Sequence, residues 1–195
     1  KYDILIAHDA PCCDLAFGDY NPPSILEVEG AKDVAVEFNS LSKTYNMAGW
    51  RIGMVVGNAE IIRLLATYKS QIDSSNFAPI QDAAVVALTS DQAWLRNRNK
   101  IYEARRDVVY QGLVDAGFEV DLPEAALYLW ARLPKGFSDP VMFCADLLED
   151  TGVSITPGVI YGPSGADYIR ISIVIPTDQI EEAMRRIKDW VEKHR

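Results

Sequence analysis

The sequence predicts an α/β protein that continues into a smaller α+β part. Two apolar, β-branched runs, Val34–Phe38 and Ile52–Val56, enclose a polar segment, as is typical of two strands joined by a loop. Apolar residues at helical spacing follow, and the longest such stretch runs over residues 92–116. From Gly117 the spacing changes to that of short strands. We therefore expect the chain to divide within the long helix.

Local signals predict the other elements of the first part. Asp3–Ala7 forms a short apolar strand that ends at His8 and Asp9, and the segment 17–29 holds too many Gly and Pro residues for regular structure. Asn58 is expected to cap a helix, because its side chain can accept a hydrogen bond from the first turn. Helices are predicted over residues 58–70, 80–89 and 92–116.

Turn residues and alternating side chains predict the second part. Asp139 is expected to cap a helix that Gly152 ends. A last helix over 178–193 is expected to begin with a capping box formed by Asp178 and Glu181. Its apolar spacing predicts four buried residues: Ile180, Met184, Ile187 and Val191. Strands are predicted over residues 118–121, 127–133, 153–156 and 168–174.

In two of these strands, the face on which a side chain lies predicts whether it is buried or exposed. Tyr128 and Trp130 alternate onto one face of their strand, and aromatic residues in strands usually belong to a core. Arg170 shares a face with Tyr168 and Ser172, while isoleucines occupy the other face. Taken alone, Arg170 is therefore expected to face solvent.

Composition limits the classes of function. The 195 residues are 49% hydrophobic, enough for a proper core, and 19 basic against 28 acidic residues give a net charge of −9. That charge argues against non-specific binding to nucleic acid or to an acidic membrane surface. No apolar run is long enough to span a membrane. Cys12, Cys13 and Cys144 lack metal-ligand spacing, so we expect no metal site and a reduced, cytoplasmic protein.

The polar segment Asn39–Gly53 carries the strongest chemical signal. It holds two hydroxyls before Lys43, no acidic residue, and Arg51 between two glycines. Hydroxyls, backbone N–H groups and a forked guanidinium can wrap a phosphate. A lysine near such a cation has a lowered pKa, which favours its attack on an aldehyde, so the segment suggests pyridoxal phosphate (PLP). Taken alone, however, a loop lysine and arginine are more often simply solvated.

The order of the residues favours the cofactor over the solvated loop. The run Ser40–Gly53 resembles the lysine motif of the fold-type I, aspartate-aminotransferase-like PLP enzymes, and most closely that of the LL-diaminopimelate aminotransferases. The stretch Lys69–Gln81 resembles the same subfamily. The block Pro157–Ser172 is similar to the family's segment around a substrate-binding arginine. These resemblances cover essentially the whole chain.

The resemblance implies roles for individual residues. Lys43 would hold PLP as a Schiff base and move a proton on the substrate, and Asp9 would pair with the pyridine nitrogen of PLP. Arg170 would bind the substrate carboxylate with two parallel hydrogen bonds. Cys12 stands where the family has a tyrosine that donates to the phenolic oxygen, and a thiol is a weaker donor; a small buried residue without a role is the alternative. The phosphate would be held by Ser40, Ser42 and Arg51.

The resemblance also implies an architecture. Residues 1–90 would be the end of a PLP-binding large domain with a mixed, mostly parallel sheet and helices. Residues 91–116 would be a bridging helix, and residues 117–195 a smaller α+β domain. Family motifs that normally precede this point are absent and the first residue is Lys1, so we expect a fragment of a homodimeric enzyme. The chain alone is therefore expected to bind PLP poorly and to transaminate little.

The implied reaction is the transamination of an amino acid with a 2-oxo acid. The subfamily resemblance points to LL-diaminopimelate with 2-oxoglutarate, in lysine biosynthesis. An aspartate or aromatic aminotransferase is the runner-up. Two other classes stay open on the same fold: a regulatory or binding module without transamination, and a β-eliminating lyase.

Overall fold

The computed structural model describes residues 4–195, which form two compact units. The first unit ends at Asn97 and the second begins at Arg98. The division falls inside one long helix, Ala93–Asp115. The finer domain limits derived from the sequence, at residues 90 and 117, stay predictions. Among the described residues, no helix combines the length and the apolar character that crossing a membrane requires.

The first unit combines strands with helices of very different length. Its strands are β1 (Ile6–Asp9), β2 (Ala35–Ser40) and β3 (Gly53–Gly57). Its helices are α1 (Ala31–Val34), α2 (Leu41–Thr44), α3 (Ala59–Ile72), α4 (Ala78–Thr89) and the start of α5 (Ala93–Asp115). Two 3-10 turns, Ile25–Glu27 and Ala48–Trp50, lie in the connections.

A mixed sheet organises the first unit. β1 pairs with β2 in parallel, with Asp9 opposite Phe38, and β2 pairs with β3 antiparallel, with Ser40 opposite Gly53. The mixed character is confirmed, whereas the mostly parallel pairing is not observed in the described sheet, which has the order β1-β2-β3. The physical reason is that a parallel neighbour needs a long crossover, while residues 41–52 turn straight back.

Several boundaries of the first unit differ from the predicted ones. Asp3, where the first strand was expected to begin, lies outside the described residues, and β1 runs on to Asp9. Val34 ends α1 instead of opening β2, which extends to Ser40. The loop predicted over Asn39–Gly53 contains the helical turn α2, because a serine hydroxyl caps that turn.

Helix α3 begins as predicted. The Asn58 side chain accepts a hydrogen bond from the Ile61 backbone N–H at 2.9 Å. No residue of α3 is buried, and Leu64 and Tyr68 are 54% and 68% exposed. Leu64 and Tyr68 are therefore accessible to solvent, whereas Ile61, Ile62 and Leu65 of the same helix are half-buried.

A small core of the first unit packs α2 against α4. Leu41 and Met47 contact Ala84 of α4, and all three are buried. Tyr45 and Ile52 are partly buried against this cluster. The helical turn α2 is thus held by apolar packing as well as by its cap.

The second unit continues α5 into an antiparallel sheet with further helices. Its strands are β4 (Glu119–Val120), β5 (Tyr128–Arg132), β6 (Thr156–Pro157) and β7 (Tyr168–Ser172), in the sheet order β4-β5-β7-β6. Its helices are α6 (Pro140–Thr151) and α7 (Thr177–His194). The segment between β6 and β7 forms two 3-10 turns, Gly158–Tyr161 and Pro163–Gly165.

The alternation predicted for β7 is confirmed. Ile169 and Ile171 are buried, and Arg170 is half-buried on the opposite face together with Tyr168 and Ser172. The aliphatic face of β7 therefore belongs to the core, and its polar face is accessible.

The prediction that Tyr128 and Trp130 belong to a core is wrong. They are 38% and 39% exposed, whereas Leu129 and Ala131 are at most 1% exposed. Leu129 and Ala131 pair with the isoleucines of β7, so the sheet buries its aliphatic face. The aromatic side chains of β5 consequently share the accessible face with Arg170.

Helix α7 buries the predicted residues and one more, so that its buried set is Ile180, Met184, Ile187, Trp190 and Val191. Its start was predicted wrongly. The cap position is Pro176, without a side-chain hydrogen bond, so Asp178 lies inside the first turn and the capping box does not form. Of the strand predicted over residues 153–156, only Thr156 lies in a strand, β6, which ends at Pro157 where the 3-10 turn Gly158–Tyr161 follows.

Helix α6 offers a test of the predicted caps. The Asp139 carboxylate accepts hydrogen bonds from the N–H groups of Val141 and Met142 at 2.8 and 3.2 Å, and Gly152 ends the helix in a left-handed conformation. We expect Asp139→Ala to lower the free energy of unfolding by about 1 kcal/mol, because two N–H groups lose their acceptor. Urea unfolding followed by circular dichroism measures the loss. Ser138→Ala is the control, and an equal loss there would contradict the cap.

Candidate functional site

The ends of three strands meet at one edge of the first-unit sheet. β1 ends at Asp9, β2 ends at Ser40, and β3 begins at Gly53, directly opposite Ser40. Lys43 follows in the turn after β2, and Arg51 comes just before β3. The topology therefore gathers the predicted site residues of this unit at that edge, with Cys12 in the turn after β1: Asp9, Cys12, Ser40, Ser42, Lys43 and Arg51.

Lys43 lies in the turn α2, whose start is tied to the strand that follows it. The Ser40 hydroxyl accepts a hydrogen bond from the Ser42 N–H at 3.1 Å. The Leu41 N–H donates to the Ile52 carbonyl at 3.3 Å. Ser42 is buried and Lys43 is half-buried. The lysine is thus presented from a fixed backbone and not from the open loop that the sequence suggested.

Arg51 is an exposed cation with an unusual backbone. Its φ of 52° lies in the left-handed region, which costs a residue with a Cβ atom about 1–2 kcal/mol. Its Nη1 donates to the Ala48 carbonyl at 3.0 Å, and its own carbonyl accepts from Asn76 Nδ2 at 3.3 Å. The contact with Ala48 uses one of five guanidinium donors, so others can bind an anion. Strain of this kind concentrates at functional sites.

Asp9 and Cys12 occupy the end of β1 and the turn after it. Asp9 is exposed, and the Ala10 N–H continues the strand pairing by donating to the Phe38 carbonyl at 2.9 Å. Cys12 is half-buried and unpaired, and its carbonyl accepts from the Leu15 N–H at 3.0 Å. The described residues contain no group of three or more His, Cys, Asp or Glu side chains that could hold a metal ion.

The sequence interpretation missed a buried carboxylate beside this edge. Glu37 of β2 is 6% exposed. Its Oε2 accepts from His8 Nδ1 at 3.0 Å, from the Ser24 hydroxyl at 2.6 Å and from the Ile25 N–H at 3.1 Å, and Asn39 Nδ2 reaches Oε1 at 3.0 Å. The signal in the sequence was an acid inside an apolar strand, because such a charge must find donors when it is buried.

These hydrogen bonds determine the charge of Glu37. Burial alone would raise its pKa, but the hydrogen bonds from Ser24, Asn39, His8 and Ile25 outweigh burial and lower the pKa to about 2. Glu37 is therefore an anion at neutral pH, and it joins β1, β2 and the 3-10 turn at Ile25.

Two further contacts join the segment after β1 to β2 and to the lysine turn. The Cys13 thiol donates to Asn39 Oδ1 at 3.2 Å, and the Thr44 hydroxyl donates to Asp14 Oδ2 at 2.9 Å. Burial, followed by the charge of Asp14, raises the pKa of Cys13 to about 11, so the thiol stays a donor. The backbone around Asp9 and that around Lys43 are thereby linked.

Arg170, the remaining predicted site residue, lies on β7 in the second unit. Its Cζ lies 4.1 Å from the ring centre of Tyr128 and 4.6 Å from that of Tyr161. Arg170 and Tyr128 also line a cavity of about 750 Å³, whose walls include parts of β6, β7 and α7. A half-buried guanidinium at a cavity wall is suited to bind a carboxylate.

The donor set at the edge of the first-unit sheet fits PLP in its chemistry. An amine that can meet an aldehyde, a guanidinium with two neighbouring hydroxyls for a phosphate, and a carboxylate for a protonated ring nitrogen are all present. The Arg51 backbone strain and the fixed turn of Lys43 are the structural observations that favour a built site.

Fold and donor set together define an α/β protein with an amine, a guanidinium and a carboxylate at one sheet edge. The chain belongs to the aminotransferase class I and II family, which it matches over residues 1–187. The resemblance stated from the sequence is thereby confirmed.

Among curated relatives, two LL-diaminopimelate aminotransferases illustrate the similarity. The protein from Dehalococcoides mccartyi is 43% identical over 190 residues, which are 97% of this chain and 49% of the relative. The protein from Nitratidesulfovibrio vulgaris is 46% identical over 188 residues, which are 96% of this chain and 48% of the relative. The chain thus spans about half the length of the curated relatives it matches.

Solved structures agree with the fold. An aromatic aminotransferase from Pyrococcus horikoshii matches with a TM-score of 0.92 at 27% identity, covering 98% of this chain and 52% of the other. The aspartate aminotransferase from Rhizobium meliloti matches with a TM-score of 0.90 at 29% identity, covering 96% of this chain and 50% of the other. The fold is therefore shared with aminotransferases whose names give two different substrate classes, aromatic amino acids and aspartate.

Glu37 should make the stability of the chain sensitive to acid. Its pKa falls from 4.5 to about 2 on folding, so its contribution is complete above pH 4.5 and is lost as the pH falls through the folded value. Between pH 4.5 and about 2, the free energy of unfolding of the wild-type chain should fall by about 3 kcal/mol because of Glu37, and Glu37→Gln should remove this part of the fall. Urea unfolding at several pH values measures it. The exposed Glu27→Gln serves as control, and an unchanged pH dependence in Glu37→Gln would refute the assignment.

Arg51 allows backbone strain to be separated from charge. Arg51→Gly and Arg51→Ala both remove the guanidinium, but only Gly adopts the left-handed conformation without strain. We expect Arg51→Gly to be more stable than Arg51→Ala by about 1 kcal/mol in thermal or urea unfolding. Ala48 lies in a 3-10 turn and is the control position: Ala48→Gly should be less stable than the wild-type chain, because Ala is the better residue in that conformation. Equal stability of the two Arg51 variants would show that the position is unstrained.

Proposed function

We propose that this chain is the part of a PLP-dependent aminotransferase that anchors the cofactor and binds the substrate carboxylate. One observation carries the proposal: Lys43 and Arg51 share a sheet edge with Asp9 in a chain of the aminotransferase family. When bound, PLP supplies the electron sink for bond breaking at the substrate α-carbon.

The residues of the first unit then have separate tasks. The Arg51 guanidinium and the hydroxyls of Ser40 and Ser42 bind the phosphate by charge-assisted hydrogen bonds. The Asp9 carboxylate holds a proton on the ring nitrogen. The Lys43 amine anchors the aldehyde carbon and, once free, moves the proton of the substrate α-carbon.

Cys12 sets this chain apart from the family pattern that has a tyrosine at this place. A thiol is a weak donor, so Cys12 gives the phenolic oxygen of the cofactor less stabilisation than a phenol does. Its half-buried position in the turn after β1 agrees with either a weak donor or a small packing residue.

The substrate pair we propose is LL-diaminopimelate with 2-oxoglutarate, in lysine biosynthesis. The support is that relatives 43% and 46% identical to this chain are LL-diaminopimelate aminotransferases. Arg170 is the residue proposed to bind the α-carboxylate of either substrate. An aspartate or aromatic aminotransferase is the second candidate, favoured by the structural matches to enzymes of those names. The chain spans about half the length of its relatives, so the activity of the whole protein is proposed here and not observed.

We also propose that the full-length enzyme is a homodimer in the cytoplasm. The support for association is the amount of exposed apolar surface, which includes Leu64, Tyr68 and Ile72 on α3 and Val85 and Val86 on α4. A module that binds PLP without transamination is the alternative class, and Cys12 is the residue that would favour it.

Lys43 should be the preferred site of PLP attachment even though the affinity of the chain for PLP is expected to be low. PLP addition, borohydride reduction and peptide mass spectrometry should label Lys43 more than the exposed Lys32. Arg51→Ala should reduce labelling of Lys43 by about tenfold, because a charge-assisted phosphate contact is lost, and leave Lys32 unchanged. Equal labelling of the two lysines in the wild-type chain would contradict a cofactor site.

The substrate is tested by amino transfer to 2-oxoglutarate, with glutamate as the measured product. LL-diaminopimelate, aspartate and tyrosine are compared as donors, and Lys43→Ala sets the background. The proposal expects a small yield that is highest with LL-diaminopimelate. A higher yield with aspartate or tyrosine favours the second candidate, and ammonia release without any acceptor indicates a β-eliminating lyase. Lys43 labelling without glutamate above background favours the binding module.

A further inference from the structure

The Arg170 guanidinium is held by aromatic rings and not by an acid. Its Cζ lies 4.1 Å from the ring centre of Tyr128 and 4.6 Å from that of Tyr161, both well within cation–π range. In the part of the chain that the structure describes, these ring contacts are the interactions of the Arg170 side chain, and no ion pair or hydrogen bond of its guanidinium accompanies them. Its N–H groups therefore have no protein acceptor there.

A second arginine on the same sheet face is bound differently. Arg132 of β5 donates through Nη2 to Asp167 Oδ2 at 2.7 Å, and its Cζ lies 5.8 Å from the ring centre of Tyr168. That ion pair raises the pKa of Arg132 through the hydrogen bond and the charge of Asp167. The face thus offers one arginine, Arg132, that is paired with a carboxylate and one, Arg170, that is not.

The two tyrosines near Arg170 extend from defined elements of the second unit, and their side chains are 38% (Tyr128) and 50% (Tyr161) exposed. Tyr128 stands on β5, next to the strand that carries Arg170. Tyr161 ends the 3-10 turn Gly158–Tyr161, and its ring packs edge-on against Trp130 with 5.7 Å between ring centres.

The turn that carries Tyr161 is closed by two glycines in direct contact. A Cβ atom on Gly165 would lie 2.1 Å from the Gly158 carbonyl oxygen, and one on Gly158 would lie 2.5 Å from the Gly165 oxygen. Only residues without a side chain allow this approach. The glycine contact therefore fixes the backbone from which Tyr161 extends, and the ring itself packs against Trp130.

We propose that Tyr128 and Tyr161, here called the tyrosine pair, are positioning residues that orient the Arg170 guanidinium for carboxylate binding. An aromatic ring attracts the face of a guanidinium and leaves the in-plane N–H donors free, whereas an acidic partner would occupy them. A guanidinium held in advance loses less rotational freedom when a carboxylate binds. This inference rests on the proposed role of Arg170. It extends that role to Tyr128, which was expected in a core, and to Tyr161, which had no expected role.

The first measurement is the nuclear magnetic resonance spectrum of the ¹⁵N-arginine-labelled full chain. Arg170→Lys assigns the Arg170 Nε–H signal, which ring currents should displace upfield. Tyr128→Leu and Tyr161→Leu should each reduce that displacement, while Tyr128→Phe and Tyr161→Phe should retain it, because phenylalanine keeps the ring. Tyr168→Leu is the matched control on the same face: it should move the Arg132 signal and leave Arg170 unchanged. A persisting Arg132 signal in the tyrosine-pair variants shows that the sheet is folded.

The second measurement is a titration of the same samples with 2-oxoglutarate. We expect the dissociation constant to rise by about three- to tenfold in each leucine variant of the tyrosine pair and to stay unchanged in the phenylalanine variants. Loss of the ring-current displacement without a change in the dissociation constant would overturn the inference. So would an unchanged displacement together with unchanged affinity.

The titration also distinguishes a wrong role for Arg170 from a wrong role for the tyrosine pair. If 2-oxoglutarate binds the wild-type chain and Arg170→Lys equally, the carboxylate role of Arg170 is wrong, whatever the ring-current displacement shows. If Arg170→Lys loses binding while the leucine variants bind as the wild-type chain does, Arg170 keeps its role and the tyrosine pair has none.

Discussion

The hydrogen bond from the Leu41 N–H to the Ile52 carbonyl is the constraint on which the position of the lysine turn depends. It closes the connection between two antiparallel strands at the residue where the lysine turn begins, so the turn cannot move without opening the hairpin. Packing of Leu41 and Met47 against Ala84 holds the same turn from the apolar side. The chain then has to reverse within a few residues before β3, and Arg51 adopts a left-handed backbone there. Rigidity and strain are therefore concentrated around the two cations of the candidate site.

The local part of this arrangement could be predicted from the sequence. Lys43, Arg51 and the serines belong to one short segment between two strands, so their proximity follows from chain connectivity alone. The caps at Asn58 and Asp139 were predictable for a similar reason, since a cap is formed by residues within one turn of each other. The helical turn at Lys43 was missed because a four-residue helix has no apolar period to detect.

The rest depends on partners that are distant in the sequence. An acid at position 37 predicts that donors exist but not that His8 and Ser24 supply them. In β5 the only local sign of the accessible face is Arg132, which alternates onto the same face as Tyr128 and Trp130. Strand propensity assigned Tyr128 and Trp130 to a core, whereas the pairing of β5 with the isoleucines of β7 decides which face is covered. The exposed aromatic face around Arg170 consequently emerges only from the assembled sheet.

Glu37 has a consequence for the motions of the first unit. One carboxylate binds donors that lie 29 and 13 residues before it and 2 residues after it, so β1, the turn at Ser24 and β2 share a single anchor. A local opening that frees any one of these segments leaves a buried charge with fewer donors, which disfavours opening them one by one. The segments should therefore open together as one cooperative unit in hydrogen exchange, with amides of Ala10 and Ile25 sharing one opening free energy.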